Sequence, residues 1–189
     1  LDGATLKNAV LANMKASKAD FTGTQLGGAK LNGTTLTEAI FTNATADEET
    51  DFTDSQLGKA KLNDATLTGT IFSNAKAAKA DFTEAQLEKA RFDGSTLTKA
   101  VVVKATLTEA VLTNAKASKA DFTEAQMAKA QLDDATLTEA VLTRAHGAGA
   151  TFRRTELGGA KLGGATLTKA IFDDAKAAEA DFTEAQLEC

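Results

Sequence analysis

The stretch Ala75–Lys89, AKAAKADFTEAQLEK, decides the fold, because its composition and its periodicity predict different structures. Ala, Lys, Glu and Gln have high helix propensities, so composition alone favours an α-helix. The large apolar residues, however, lie five apart, at Phe82, Leu87 and Phe92. Five residues rotate a helix by about 500°, so these side chains would scatter around the axis instead of forming a stripe. The periodicity therefore argues against an amphipathic helix.

The same five-residue frame runs through almost the whole chain. An apolar residue at the centre of each repeat recurs from Leu1 to Ala46 and again, after a shift of one residue, from Phe52 to Leu187. A small residue precedes nearly every centre by two positions, and the other three positions are mostly polar. Two inward positions in five fit neither a straight strand nor a helix. They fit a square coil in which each pentapeptide forms one side.

The segments Ala80–Glu84 and Ala120–Glu124, both ADFTE, carry a resemblance to the pentapeptide-repeat family, whose consensus is A-[D/N]-L-x-x. The resemblance covers essentially all of the chain. It implies an all-β fold, a right-handed quadrilateral parallel β-helix (solenoid) with four pentapeptides per coil and about 9.5 coils. We expect one solenoid domain over 1–189 with a one-residue register break at 46–52. The Asp/Asn position is more often Thr, Lys, Gln, Val or Ile here.

With four repeats per coil, every fourth centre stacks on the same side of the coil. We number the sides one to four by their first centres, which are Leu1, Leu6, Leu11 and Ala16. All ten phenylalanines then fall on sides one and three, which lie opposite each other. Sides two and four have only Leu, Met, Ala or Gly as centres. This distribution predicts large rings packed between smaller side chains in a narrow tube.

The charges divide unevenly between the sides. Side four carries nine lysines against four glutamates, a net of +5, whereas side one has a net of −5. The middle of side four has six lysines and no acid, and we take it as a candidate partner-docking stripe. Its residues are Lys59, Lys76, Lys79, Lys99, Lys116 and Lys119. They could simply solvate a surface, or they could dock onto an acidic protein or lipid surface. Nucleic acid is disfavoured because arginines and aromatic residues for base stacking are missing from this side.

Several stretches depart from the regular repeat or contain residues typical of sites. The segment Thr45–Phe52, TADEETDF, contains the inserted residue and predicts a bulge or small loop, since its carboxylates lack the spacing of a cation-binding loop. Gly147, next to the lone histidine His146, is expected to leave slack in the core. The glycines of Leu157–Leu167 keep the repeat frame and do not form a phosphate loop. Cys189, the single cysteine, cannot form an internal disulfide. The pattern predicts no catalytic residues, no metal site and no cofactor, so we expect a protein that is not an enzyme.

The functional hypothesis is a non-catalytic structural or scaffold protein that binds other proteins through its charge-patterned sides. The resemblance adds a setting, because such proteins are abundant in cyanobacteria and in the thylakoid lumen of chloroplasts. It implies an accessory subunit of a photosynthetic membrane complex, and a start without Met suggests a trimmed leader. The repeat residues Leu1 and Leu187 at the termini suggest trimmed caps or end-to-end self-association.

The alternative that the resemblance implies is a DNA-mimicking modulator of a type II topoisomerase (gyrase). Such mimicry needs strong negative charge along a rod. The net charge of −5 and the lysines of side four argue against it, as does the lack of a C-terminal dimerisation helix. A third hypothesis, an enzyme or ligand carrier, would need a concave site that the repeats do not predict.

Overall fold

The computed structural model describes residues 1–188, so Cys189 lies outside the described residues. Parallel bridges join each repeat to the repeat twenty residues further on, for example Thr5 to Gln25 and Asp81 to Val101. Within residues 1–188, two strands are longer than one residue: β1, Thr45–Ala46, pairs in parallel with β2, Thr66–Leu67. The described chain contains no helix. The prediction of a right-handed quadrilateral β-helix is confirmed, and helix propensity does not decide the structure.

The backbone hydrogen bonds of one repeat explain why an acid or amide suits the position before the centre. In the repeat centred on Phe82, the N–H of Asp81 donates to the preceding coil, and those of Phe82 and Glu84 donate to the following coil, at 2.7–2.9 Å. The N–H of Ala85 closes a turn on the carbonyl of Phe82 at 3.0 Å. The remaining N–H, of Thr83, donates to the Asp81 carboxylate at 3.0 Å. An aspartate here therefore accepts from the one amide that the coil leaves free.

Each side ends in a corner formed by the two residues after the centre. The second of them has a positive φ, between 53° and 71°, in every described repeat except the one with the insertion. This is the signature of a type II turn, which favours Gly or Asn at that position. Lysine, glutamate and arginine occupy many of these corners, at a cost of about 1 kcal/mol each relative to residues that prefer the left-handed region. The corners hold these charged side chains outward.

The phenylalanines fill the tube as their distribution predicts. Along side three, the rings of Phe52 and Phe72 stack with centroids 5.0 Å apart, and those of Phe72 and Phe92 stack at 4.8 Å. Across the tube, Phe82 of side one meets Phe72 and Phe92 edge to face at 6.0 and 5.6 Å. The stacking distance equals the spacing of neighbouring parallel strands, about 4.8 Å. The coil spacing thus brings successive rings into contact.

The inserted residue is accommodated by a side chain that replaces a backbone group. Across the insertion the bridges span one residue more, as from Lys30 to Asp51. The N–H of Gly28 donates to the carboxylate of Asp47 at 2.9 Å, and the Thr50 hydroxyl donates to the same carboxylate at 2.9 Å. Burial raises the pKa of Asp47, but these hydrogen bonds outweigh it and hold the pKa below its ordinary value. The carboxylate therefore continues the hydrogen bonding that the extra residue interrupts.

The coil above the insertion leaves room for it at a glycine. Gly69 has a φ of +70°, and a Cβ there would lie 2.8 Å from the Cβ of Glu48 and 3.1 Å from its Cα. A side chain at Gly69 would therefore collide with the inserted turn.

The expectation of slack at Gly147 is wrong. A Cβ at Gly147 would lie 3.0 Å from Cδ2 of Leu167, the centre of the next repeat on the same side. The leucine side chain thus occupies the space that the missing residue leaves. Gly147 is buried and His146 beside it is exposed.

We expect Phe72→Ala to destabilise the fold by about 1–3 kcal/mol more than Phe122→Ala. The Phe72 variant loses the contacts of this ring with three other rings. The neighbours of Phe122 in its own column are Val102 and Leu142, which are not aromatic. Urea denaturation of both variants measures the difference. Equal losses would show that ring contacts add nothing to the burial of a large side chain.

We expect Asp47→Asn to remove a pH-dependent part of the stability. A carboxyl pKa that is lowered by folding contributes stability above its unfolded value, near pH 4, and this contribution is lost as the pH falls through the folded-state value. The Asn variant keeps an acceptor for the Gly28 N–H but does not titrate. The difference in free energy of unfolding between wild type and variant should shrink between about pH 6 and pH 3. A difference that stays constant over this range would contradict the role of the charge.

Candidate partner-docking surface

The six lysines of the stripe lie in two columns on side four and on the corner that follows it. All six are exposed. Four are the left-handed corner residues of consecutive coils, with φ of 58–60°, and each donates its N–H to the next coil at 3.0 Å: Lys59, Lys79, Lys99 and Lys119. The other two, Lys76 and Lys116, face outward from the flat part of the side, with Thr96 bridged between them. The structure therefore brings the stripe together as one surface.

A track of small residues, not among the residues predicted from the sequence, separates the two lysine columns. Its members in the stripe are Gly58, Ala78, Thr98 and Ser118, each half-buried. The signal was present in the sequence, because the residue after every side-four centre is Ser, Thr, Gly or Ala. The track lets another backbone approach closely between two rows of positive charge.

Ion pairs close the corner column at its two ends but not in its middle. Glu38 pairs with Lys59 at 3.4 Å, and Glu139 pairs with Lys119 at 3.2 Å. Within residues 1–188, no carboxylate lies within 4.0 Å of the ammonium groups of Lys79 and Lys99. Both have a lysine on the coil before and on the coil after, at a backbone spacing of about 4.8 Å. Like charges so placed repel each other, so the middle of this column is an unfavourable charge arrangement.

The acids nearest in sequence have other partners. Asp81 and Asp121 follow the corner lysines by two residues, and each accepts from the N–H and the hydroxyl of the threonine two residues later, at 2.6–3.0 Å. They complete the backbone hydrogen bonding of side one. Lys79, which has no ion pair among residues 1–188, therefore lies beside a carboxylate that already accepts two hydrogen bonds.

The arginines of side three contrast with the lysines. Arg154 donates Nε and Nη2 to the carboxylate of Asp134 at 2.7 and 2.6 Å, which lowers the pKa of Asp134. Arg153 contacts Asp133 at 3.5 Å and Asp173 at 3.4 Å, one coil on either side. Columns of alternating sign thus pair internally, whereas the corner column of the lysine stripe has four lysines on consecutive coils, of which the middle two have no ion pair among residues 1–188.

In the described part of the chain no group of three or more His, Cys, Asp or Glu side chains could hold a metal ion. None of the described residues forms a helix with the length and apolar character to cross a membrane. A shallow groove of about 610 Å³ lies over Gly164, where His146 stands beside the ion pair of Glu124 and Arg144.

The repeat pattern matches a known family over nearly its whole length. The pentapeptide-repeat profile matches in overlapping segments: residues 1–33, 19–47, 50–88, 60–98, 78–114, 90–127, 105–144, 130–168 and 156–188. The chain belongs to the pentapeptide-repeat family. The residues between these segments, 48–49, are those of the inserted turn. Comparison with curated protein sequences gives no match.

Solved structures of pentapeptide-repeat proteins share the fold. A trypsin-treated variant of QnrB1, a plasmid-mediated fluoroquinolone resistance protein, superposes with a TM-score of 0.80 at 17% identity, over 94% of this chain and 90% of that one. Full-length QnrB1 gives a TM-score of 0.55 at 18% identity, over 98% and 92% of the two chains. Identities this low establish the shared architecture alone.

We expect the double variant Lys79→Asn/Lys99→Asn to be more stable than wild type at low salt. It removes like-charge contacts worth about 0.5 kcal/mol each, and Asn tolerates the left-handed conformation better than Lys. Lys129→Asn is the matched control, because its neighbours in the corner column are Glu109 and Gly149. The double variant should gain more per site than the control, and the excess should vanish at about 1 M salt. Thermal denaturation measures both, and an equal gain per site would show that the lysines do not repel.

Proposed function

We propose that this pentapeptide-repeat protein is a non-catalytic scaffold that binds other proteins through its charge-patterned sides, with the lysine stripe as the docking surface for an acidic partner. The observation that carries the proposal is the pair of unpaired lysines, Lys79 and Lys99, in the middle of a column whose ends are closed by glutamates. The chain retains a repulsive arrangement there although Asn or Gly would suit each corner better. A partner carboxylate would relieve the repulsion.

The burial pattern supports binding over catalysis. Catalytic acids and bases acquire their function from burial and from charged neighbours that shift their pKa. Among residues 1–188, the buried polar side chains are all serines and threonines. All of them except Ser73 occupy the small inward position, and Thr155, for example, donates to the carbonyl of Leu132 at 2.8 Å. The charged groups are at the surface of a convex rod, where water screens them.

The further proposal, that the protein is an accessory subunit of a photosynthetic membrane complex in a chloroplast or a cyanobacterium, rests on the family resemblance alone. The DNA-mimicking modulator of a type II topoisomerase remains the alternative. It has less support here, because Lys61, Val101 and Lys161, among others, interrupt the acids in the outward column of side one. A surface that imitates duplex DNA needs a continuous row of negative charge.

We expect a photoreactive amino acid at Thr98 to cross-link a stoichiometric partner in extract of the cells that make the protein. Thr98 lies on the small-residue track, between the lysine columns. Thr108 is the matched control, because it holds the same position in the repeat on side two and is equally half-buried. Cross-linking at Thr98 and not at Thr108 supports docking on side four. Absence of a stoichiometric product from either position would contradict the scaffold function.

A further inference from the structure

The corner lysines of the stripe form a straight row with a fixed spacing. Lys59, Lys79, Lys99 and Lys119 are on four consecutive coils, each joined to the next coil by a backbone hydrogen bond of 3.0 Å. Phenylalanine rings on consecutive coils stack at 4.7–5.0 Å, which gives the coil spacing directly. The row therefore presents a positive charge about every 4.8 Å over about 14 Å. From this row we infer that the lysine stripe binds an α-helix with an acidic residue on every turn, lying parallel to the rod axis. The inference rests on the proposed function and names the shape of the partner.

The spacing favours a helix over an extended segment. Acidic residues three or four apart on one face of a helix recur about every 5.4 Å, within about 0.6 Å of the coil spacing. In an extended strand, side chains on the same face recur every 6.6–6.8 Å, a mismatch of about 2 Å per step. Over three steps the helix drifts by about 2 Å, which flexible lysines can span, whereas the strand drifts by almost 6 Å. Lys79 and Lys99, the two lysines of the row without an ion pair among residues 1–188, can thus each meet a separate carboxylate on successive turns of a helix.

The protein's own glutamates show that a carboxylate one coil away reaches these lysines. Glu38 occupies the same corner column and contacts the lysines of both adjacent coils, Lys18 at 3.8 Å and Lys59 at 3.4 Å. Glu139 contacts Lys119 of the preceding coil at 3.2 Å. An acidic side chain at one-coil spacing is therefore a suitable partner along this column. The acidic residues of a helix placed over Lys79 and Lys99 would form the same kind of ion pair with these two lysines.

The surface beside the column has room for the helix. The track residues Gly58, Ala78, Thr98 and Ser118 carry no side chain longer than a threonine, so a helix can lie close to the backbone. Lys76 and Lys116 border the other edge of the track, two coils apart. Positive charge on both edges suits a helix that has acids on both flanks of its contacting face. Because Glu38 pairs with Lys59 and Glu139 pairs with Lys119, the surface available to the helix ends at these two glutamates.

The test uses two Ala-based helical peptides of about twenty residues with identical composition. One carries its glutamates on a single face, one per turn, and the other distributes the same glutamates around the helix. Fluorescence anisotropy at low ionic strength measures the binding of each to the full chain. We expect the aligned peptide to bind about tenfold more tightly, with an affinity that falls as salt is added.

Charge reversal locates the binding. Lys79→Glu/Lys99→Glu should abolish the preference for the aligned peptide, and the fold tolerates glutamate in this column at Glu38 and Glu139. Lys129→Glu/Lys169→Glu, on the corner after side two, is the control with the same change in net charge. Circular dichroism with thermal denaturation verifies that both variants are folded. Equal losses of affinity in the two variants would overturn the inference, because net charge alone would then explain the binding.

Four further outcomes separate the helix inference from its alternatives and from the scaffold function. Equal binding of the aligned and distributed peptides would overturn the helix as partner. Binding of anionic lipid vesicles that depends on Lys79 and Lys99, without a preference for the aligned peptide, would overturn it in favour of a membrane surface. A partner cross-linked at Thr98 together with no preference between the peptides would leave the scaffold function standing while the helix inference fails. Aligned-peptide binding without any cross-linked partner would leave the surface as inferred and contradict the scaffold function.

Discussion

The spacing of about 4.8 Å between hydrogen-bonded coils is the constraint on which the rest of the structure depends. Because residues twenty apart, or twenty-one across the insertion, are bridged from coil to coil, each outward side chain lies beside its counterparts on the adjacent coils. Where the counterparts are phenylalanines inside the tube, the spacing suits ring stacking. Where Arg154 lies next to Asp134, it produces a two-point ion pair. Where Lys79 lies between Lys59 and Lys99, the same spacing produces repulsion. One distance therefore determines both the stability of the core and the charge pattern of the surface.

The corners explain why composition misleads in this chain. Alanine is abundant because the inward position before each centre has room for little more than a methyl group, and Ala60, Ala80 and Ala100 there are buried. Lysine and glutamate are abundant because the two corner residues of each repeat face solvent. The corner conformation is left-handed, so a helix-forming residue such as Lys79 sits in a conformation opposite to that of a helix. Tertiary packing and turn geometry override propensity at both kinds of position.

The five-residue period was sufficient to predict the coil, the inward positions and the opposite placement of the phenylalanines. Contacts that depend on side-chain reach were not predictable from it. Leu167 fills the space at Gly147 from a coil away, and the Asp47 carboxylate replaces a backbone acceptor for Gly28. Both depend on rotamers and on residues about twenty positions apart, which periodicity does not specify. The lysine stripe was predicted as a group of residues, but the closure of its ends by Glu38 and Glu139 required the structure.

The central claim is that the coil spacing of the lysine row matches the turns of an acidic helix, and double-mutant cycles test it most directly. Lys79 and Lys99 are each replaced by Asn, and each of two glutamates on successive turns of the aligned peptide is replaced by Gln. The account predicts coupling free energies of about 0.5–1 kcal/mol for the two pairs in register and values near zero for the two crossed pairs. Coupling of equal size in all four combinations would contradict it, because the surface would then recognise charge without spacing.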